Sequence, residues 1–247
     1  MRALYINLDR SPERRQWIEQ QAAALGLAVE RIAAIDGAAL DGAMPCAGPA
    51  GLSAGALACF HSHRKAWDMV VSGEDRYAAI FEDDVHMSPD LPRFLADTSW
   101  IPDDADIVHI ERVRERCMVI NRGSKVFGRK LYKTISENSG TGGYLISRAC
   151  AQRLIEDFTE VAEEFDLALL DRNVLNLNIY KVEPALCIQD EFLEAPIFTS
   201  QIERRPRPKP LDGKLRREVA RQIGKLKRGI TATLGLKAPV RIRVGFR

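Results

Sequence analysis

The sequence predicts an α/β fold with a largely parallel sheet flanked by helices, and three observations carry that expectation. Short apolar runs rich in Ile, Tyr and Phe, "ALYINL" (3–8), "YAAIF" (77–81) and "DIVHIE" (106–111), have the length and composition of buried strands. Segments with helical spacing lie between them, and alternation of the two implies strand–helix–strand units. The run at 77–81 ends directly on Glu82, Asp83 and Asp84, and open α/β sheets bind ligands at the carboxyl ends of their strands.

The elements follow in order. After the first strand, "SPERRQWIEQQAAALG" reads as a helix, with Ser11 suited to the N-cap, Pro12 to the first turn and Gly26 to the C-terminal cap. "AVERIAAIDG" gives a second strand, and the Gly/Ala/Pro-rich stretch 37–56 reads as a loop. A helix is expected over Leu57 to Val71, before the strand that delivers the acidic cluster. Arg112 to Asn138 is polar and irregular, compatible with a hairpin and a loop. "GGYLISRACAQRLIEDF" predicts a strand and then a helix, "FDLALLDRNVLNL" a further helix, and "IYKVEPALCIQ" one or two closing strands. The alternating prolines of "RRPRPKP" (204–210) remove donors and fix φ, so that stretch is a linker. The expected division is a body at 1–203 and a basic tail at 204–247.

At 46% hydrophobic and 28% charged residues, the composition is that of a soluble globular protein. No apolar run approaches the roughly 18 to 20 residues that cross a bilayer, and the start has no secretory signal pattern, so a cytoplasmic location is expected. Five scattered cysteines without a C-x-x-C pair suggest neither a disulfide framework nor a zinc site. The formal net charge of +2 conceals an acidic body of −11 and a tail of +13 from Arg204 to Arg247. Such a tail calls for an anionic partner. In the tail, Leu215, Val219, Ile223, Leu226, Ile230 and Leu234 fall on one helical stripe with Lys and Arg around it. That pattern fits an interfacial helix on anionic lipid, or a helix docked on the acidic body. Nucleic acid is disfavoured as a partner, because the tail lacks interleaved aromatics.

Glu82, Asp83 and Asp84 either cap a strand in water or hold a cation. Alternate residues of an extended strand face one side, so Glu82 and Asp84 can share a hard cation such as Mn²⁺ or Mg²⁺. His61 and His63 form an H-x-H pattern, but on a helix they project roughly 200° apart and cannot ligate one ion together.

Five ordered motifs add a resemblance: "YINLDRSPERR", "GALACFHSHRKAW" (55–67), "YAAIFEDDV" (77–85), "SGTGGYLISRACAQRL" (139–154), and "FDLALLD" followed by "IYKVEPALCIQ". Together they resemble glycosyltransferase family 25, the galactosyltransferase-like proteins of lipooligosaccharide and lipopolysaccharide biosynthesis, over roughly residues 2 to 190. The resemblance implies a GT-A-like fold with a Rossmann-type sheet, a UDP-sugar donor and a divalent metal. It places the metal at Glu82 and Asp84 with Asp83 in support, and the donor near Asn7, Arg10, Arg14, His63 and Tyr144. The Tyr144 ring is expected to stack on a sugar face, or else to sit in the core. Surface pairing with Glu13 or other acids of that helix is the alternative for Arg10 and Arg14. Ala56 and Ala58 stand where the family usually has Glu and Gly, a departure beside His63.

Transfer to an acceptor hydroxyl with inversion needs a base, and the candidates are Asp166 and Asp171, with Asp166 matching the family's acidic position. No histidine follows His109, so the metal would rest on carboxylates, water and phosphates. The function expected from the resemblance is transfer of a hexose, galactose first, to a lipopolysaccharide-type glycolipid or oligosaccharide, at the inner face of the inner membrane. A phosphatase with a strand-end Asp nucleophile fits poorly, since Glu82 comes first and Val85-His86 follow. A lipid-surface binding protein with an inactive body is the non-enzymatic alternative.

Overall fold

The computed structural model of the 247-residue chain describes residues 1–39, 52–113, 116–120, 123–135, 139–160, 165–170, 175–198 and 239–247. In chain order its elements are β1 (Ala3–Asn7), α1 (Pro12–Ala24), β2 (Glu30–Ala33), α2 (Ala54–Val71), β3 (Tyr77–Glu82), β4 (Val85–Met87), α3 (Leu91–Ala96) and β5 (Ile107–His109). There follow β6 (Arg116–Ile120), β7 (Ser124–Val126), β8 (Arg129–Lys133), β9 (Gly143–Ser147), α4 (Arg148–Asp157), α5 (Phe165–Leu170), β10 (Ile179–Glu183), β11 (Cys187–Gln189) and β12 (Pro239–Arg243).

Eight strands form one sheet in the order β2-β1-β3-β9-β5-β10-β8-β7. The expected parallel character holds for direction but not for every pairing. β2, β1 and β3 are mutually parallel, as are β5 and β10, while β9 runs antiparallel between β3 and β5 and β8 runs antiparallel to β10. The sheet is therefore mixed, with β9 and β8 reversed among strands that otherwise share one direction. A two-residue turn at Phe127 (φ 47°) and Gly128 (φ 81°) joins β7 to β8. Positive φ at both turn positions matches the right-handed twist of the flanking strands. This is the hairpin that the polar stretch after Arg112 contains.

Each face of the sheet carries its own core. On one, Trp67 and Phe60 of α2 pack with Leu154 of α4, Phe165 and Leu169 of α5, and Ile80, Ile146 and Ile179 of the sheet. On the other, Ile18 of α1 and Phe94 of α3 pack with Tyr5, Phe81, Leu145 and Val108. Successive strand residues point to opposite faces, so strands buried on both sides read as continuous apolar runs. α1 ends at Ala24, and Gly26 (φ 66°) follows its C-cap residue Leu25 in the left-handed conformation, the C-terminal stop expected of it. Ser11 stands at its N-cap position without a capping bond from its side chain. Ser53 caps α2 by accepting from Ala56 N at 3.2 Å, so this helix begins at Ala54, a turn earlier than the sequence reading.

The candidate site is organised by β1. Its next strands in sequence, β2 and β3, lie on its two sides, which makes the carboxyl end of β1 and β3 the switch point of the sheet. At the far end of the chain, β12 pairs antiparallel with β6, Val244 is buried, and Phe246 bridges Ala185. Residues 239–243 thus join the body as a strand and the residues after them pack onto it, whereas the expected helical stripe Leu215–Leu234 and the "RRPRPKP" linker lie outside the described residues. No helix among the described residues is long and apolar enough to cross a membrane.

Candidate active site

Glu82 is the last residue of β3, and Asp83 and Asp84 form the turn into β4. The alternation expected of an extended strand survives in that turn. Asp83 faces β1 and α1, where its carboxylate accepts from Asn7 Nδ2 at 2.7 Å and from Arg14 at 3.1 Å. Glu82 and Asp84 face the other way and are spanned by the Gln189 amide, which donates to Glu82 at 3.0 Å and to Asp84 at 3.4 Å. Arg14 also reaches Asp84 at 3.1 Å.

Burial pushes the Asp84 carboxyl up to about 7, and the neighbouring charge of Glu82 adds to the shift. Burial likewise raises Asp83. Arg14 alone among the described residues forms an ion pair with this turn, so a divalent cation there would relieve a repulsion the fold leaves in place. Two carboxylates with hard oxygens, partly open to solvent, form the kind of donor set Mn²⁺ or Mg²⁺ takes when phosphates complete its shell. The residues fit the expected metal.

Asn7 and Arg14 sit where expected but are turned inward. Asn7 is buried, its Nδ2 shared between Asp83 and Ser11 O and its Oδ1 accepting from Arg31 at 2.9 Å. The Arg14 guanidinium lies 5.2 Å over the Phe198 ring. These residues set the acidic turn rather than extend toward a ligand. Arg10 is exposed and pairs with Asp36 at 2.7 Å, a surface ion pair as in the alternative reading, but with an acid beyond β2 rather than with Glu13 or another acid of α1. Asp190 ties the adjoining loop down. Its backbone N–H donates to Asp84 O, and its carboxylate holds His86 Nε2 at 2.8 Å and accepts from Ile197 and Phe198 N–H at 2.7 Å.

Tyr144 corrects the stacking expectation. It is fully buried, its hydroxyl accepting from Trp67 Nε1 at 3.0 Å and lying 2.9 Å from His63 Nδ1, so no ring face is open to a sugar. His63 is buried too, with Nε2 3.6 Å from Glu82 Oε1. It can reach a donor only through that carboxylate.

Sequence reasoning missed the loop that gathers the site. Gly140 N–H donates to Asp166 at 2.9 Å, Thr141 Oγ1 to Glu82 at 2.8 Å, and Gly142 N–H to Glu111 at 2.8 Å. The three consecutive residues thereby hold three carboxylates, from the end of β3, the segment just after β5 and the first turn of α5. Glycine is required at the two flanking positions. Gly140 has φ 87°, and a Cβ there would sit 2.1 Å from Val113 Cγ2; one at Gly142 would sit 2.7 Å from Gln189 Cγ. Glu111 is fully buried beneath the loop, and burial together with the Glu82 charge raises its pKa well above the ordinary value. Its backbone carbonyl accepts from Lys181 Nζ, which also lies 2.8 Å from His109 Nδ1. Burial lowers Lys181 to about 8 and lowers His109 further below its usual range. A signal existed for Glu111, since "DIVHIE" ends an apolar run on a carboxylate just as "YAAIFE" does. Gln189, at the end of "ALCIQ", carried none. Asp171 lies outside the described residues.

The family profile for glycosyltransferase family 25 (LPS biosynthesis protein) matches residues 1–169. The chain is 33% identical over 147 residues to the lipooligosaccharide biosynthesis protein lic2B of Haemophilus influenzae, an alignment covering 56% of this chain and 55% of that protein. It is 34% identical over 149 residues to the lacto-N-neotetraose biosynthesis glycosyltransferase LgtE of Neisseria meningitidis, covering 54% of this chain and 52% of that one. A longer match, 26% over 204 residues, is to the lipooligosaccharide biosynthesis protein lex-1 of H. influenzae, covering 75% of this chain and 66% of the relative. The chain spans about half the length of the first two relatives.

Proposed function

The chain belongs to glycosyltransferase family 25, and from that premise we propose that it transfers a hexose, galactose in the first instance, from a UDP-sugar to a lipooligosaccharide or lipopolysaccharide core or a related glycan, with inversion. The observation that carries the proposal is the Glu82–Asp84 pair at the switch point of the sheet, spanned by the Gln189 amide, with the Asp84 carboxyl pushed up by burial and by the Glu82 charge. Relatives named for lipooligosaccharide and lacto-N-neotetraose biosynthesis support the acceptor class.

In this reading Glu82 and Asp84 hold Mn²⁺ or Mg²⁺, which when bound supplies positive charge against the departing diphosphate. Asp83, Asn7 and Arg14 keep the acidic turn in shape, and Gln189 keeps its two outward carboxylates together. Asp166, oriented by Gly140 N–H, takes the proton of the acceptor hydroxyl. The acceptor oxygen bonds to the anomeric carbon as the bond from that carbon to the phosphate oxygen breaks, and UDP leaves. Helices spaced like Leu215–Leu234 bind anionic headgroups through their basic flanks, which supports a peripheral position at the inner face of the inner membrane.

The test is a screen of UDP-galactose, UDP-glucose, UDP-N-acetylglucosamine and UDP-N-acetylgalactosamine for UDP release with Mn²⁺ and with chelator. Release from one donor, lost on chelation, is expected. Release from none, with vesicle binding retained, would favour an inactive surface-binding body.

A further inference from the structure

Cys59 and His63 stand four residues apart on α2, so their side chains leave one face of the helix. That face meets the end of β3. Cys59 Sγ, His63 Nε2 and a Glu82 carboxylate oxygen all lie within 4.8 Å of one another. His63 is 1% exposed, and its Nε2 has no hydrogen-bond partner. An unpaired buried polar atom carries a desolvation cost that a partner would remove, and Glu82 Oε1, at 3.6 Å, is too far to be one.

We propose that Cys59, His63 and Glu82 form a binding site for a borderline-soft divalent cation, Zn²⁺ by its donor chemistry, beside the hard-oxygen pair Glu82–Asp84. Thiolate, imidazole and carboxylate are donors that zinc accepts and Mg²⁺ does not prefer, and three protein ligands leave a fourth position for water. Ligand atoms around tetrahedral zinc sit roughly 3.5 Å apart, so rotamer adjustments of about an ångström close the site. On binding, the thiol proton passes to solvent and a metal–sulfur bond forms, with no change in oxidation state.

The outer contacts suit ligation. A metal-bound histidine is held by a hydrogen bond from its other ring nitrogen. His63 Nδ1 lies 2.9 Å from the Tyr144 oxygen, which has a second lone pair for Trp67 Nε1–H at 3.0 Å. The cation selects the tautomer with the proton on Nδ1, leaving the Nε2 lone pair toward Glu82. Since Glu82 serves both sites, the soft cation excludes the hard one and acts as an inhibitor. That consequence, unlike the binding itself, rests on the transfer reading above.

Titrating the metal-free full chain with Co²⁺ tests the site. A thiolate-to-cobalt charge-transfer absorption is expected in the wild type, displaced by Zn²⁺ and not by Mg²⁺. Cys59→Ser should abolish it, and His63→Gln should weaken Co²⁺ binding tenfold or more, with unchanged circular dichroism showing that the variants fold. No such band in the wild type, or an equal band in Cys59→Ser, overturns the proposal. In the UDP-release assay, Zn²⁺ should inhibit the wild type and spare Cys59→Ser. Absence of UDP release would count against the transfer reading while the cobalt result stands or falls alone.

Discussion

Among the described residues, the buried polar cluster around Arg129 and the one at the end of β3 are built on opposite terms. Around Arg129, the guanidinium donates to Pro184 O and Ala185 O at 2.9 Å, to Ser88 Oγ and Asp90 at 2.7 Å, and to Arg247 O at 2.8 Å, so that only Nε lacks a partner. One cation there collects five acceptors and pins the chain's last strand to the body. At the end of β3, by contrast, Glu82, Asp84 and Glu111 are brought within electrostatic reach of one another. Asp84 is pushed up to about 7, and Glu111 Oε1 and His63 Nε2 are left without hydrogen-bond partners. A satisfied buried cluster stabilises the fold, whereas one left short of cations is a site awaiting a charge.

The sharpest break in this comparison comes from Asp84→Asn. UDP release should fall about 10³-fold, near 4 kcal/mol, while the metal-free protein melts no lower than wild type. Asp84 binds its proton more tightly in the folded chain, so its contribution to stability declines as pH rises from about 3.8 to about 7. Melting temperatures of the chelated protein across that window should show the decline, and Asp84→Asn should flatten it. A variant that melts well below wild type would make Asp84 structural.

Arg129→Ala should behave in the opposite way. It leaves buried acceptors unpaired and should lower unfolding free energy by about 3 kcal/mol in urea titrations, with turnover per folded molecule unchanged. Unaltered stability would remove the contrast. Asp166→Asn keeps an acceptor for Gly140 N–H but removes the base, so turnover should drop about 10²-fold with donor KM unchanged. A collapse of donor affinity would make Asp166 a binding residue. Tyr144→Phe, at the border of the two kinds of cluster, should cost about 2 kcal/mol of stability by unpairing Trp67 Nε1. Loss of donor affinity without loss of stability would restore a direct ligand role.

The position of β12 also changes how the tail is tested. Deleting 204–247 would remove a strand, the buried Val244 and the Arg247 carbonyl that Arg129 holds. Replacing the Lys and Arg residues between Lys214 and Arg228 with Gln addresses the anionic surface while keeping that strand, and should reduce binding to anionic vesicles.

Local repetition is legible in the residues alone. Apolar runs named β1, β3, β5 and β9, helical spacing and end residues named α1, α2 and α4, and "YAAIF" running into "EDD" located the acidic turn and the side on which Glu82 and Asp84 would share. Those follow from two- and 3.6-residue periods and from the rule that ligands gather at strand ends. That β9 runs antiparallel between β3 and β5 emerges only in the folded sheet, because register and direction depend on partners far away in the chain. Tertiary packing alone turned Asn7 and Arg14 inward onto Asp83, buried Tyr144 against Trp67, and set Gln189 across Glu82 and Asp84 from more than a hundred residues away. The same holds for the loop at Gly140–Gly142, whose glycines announce a close approach but cannot say to what. Three carboxylates meet there because three strands or helices end at one place, a convergence that no local pattern encodes.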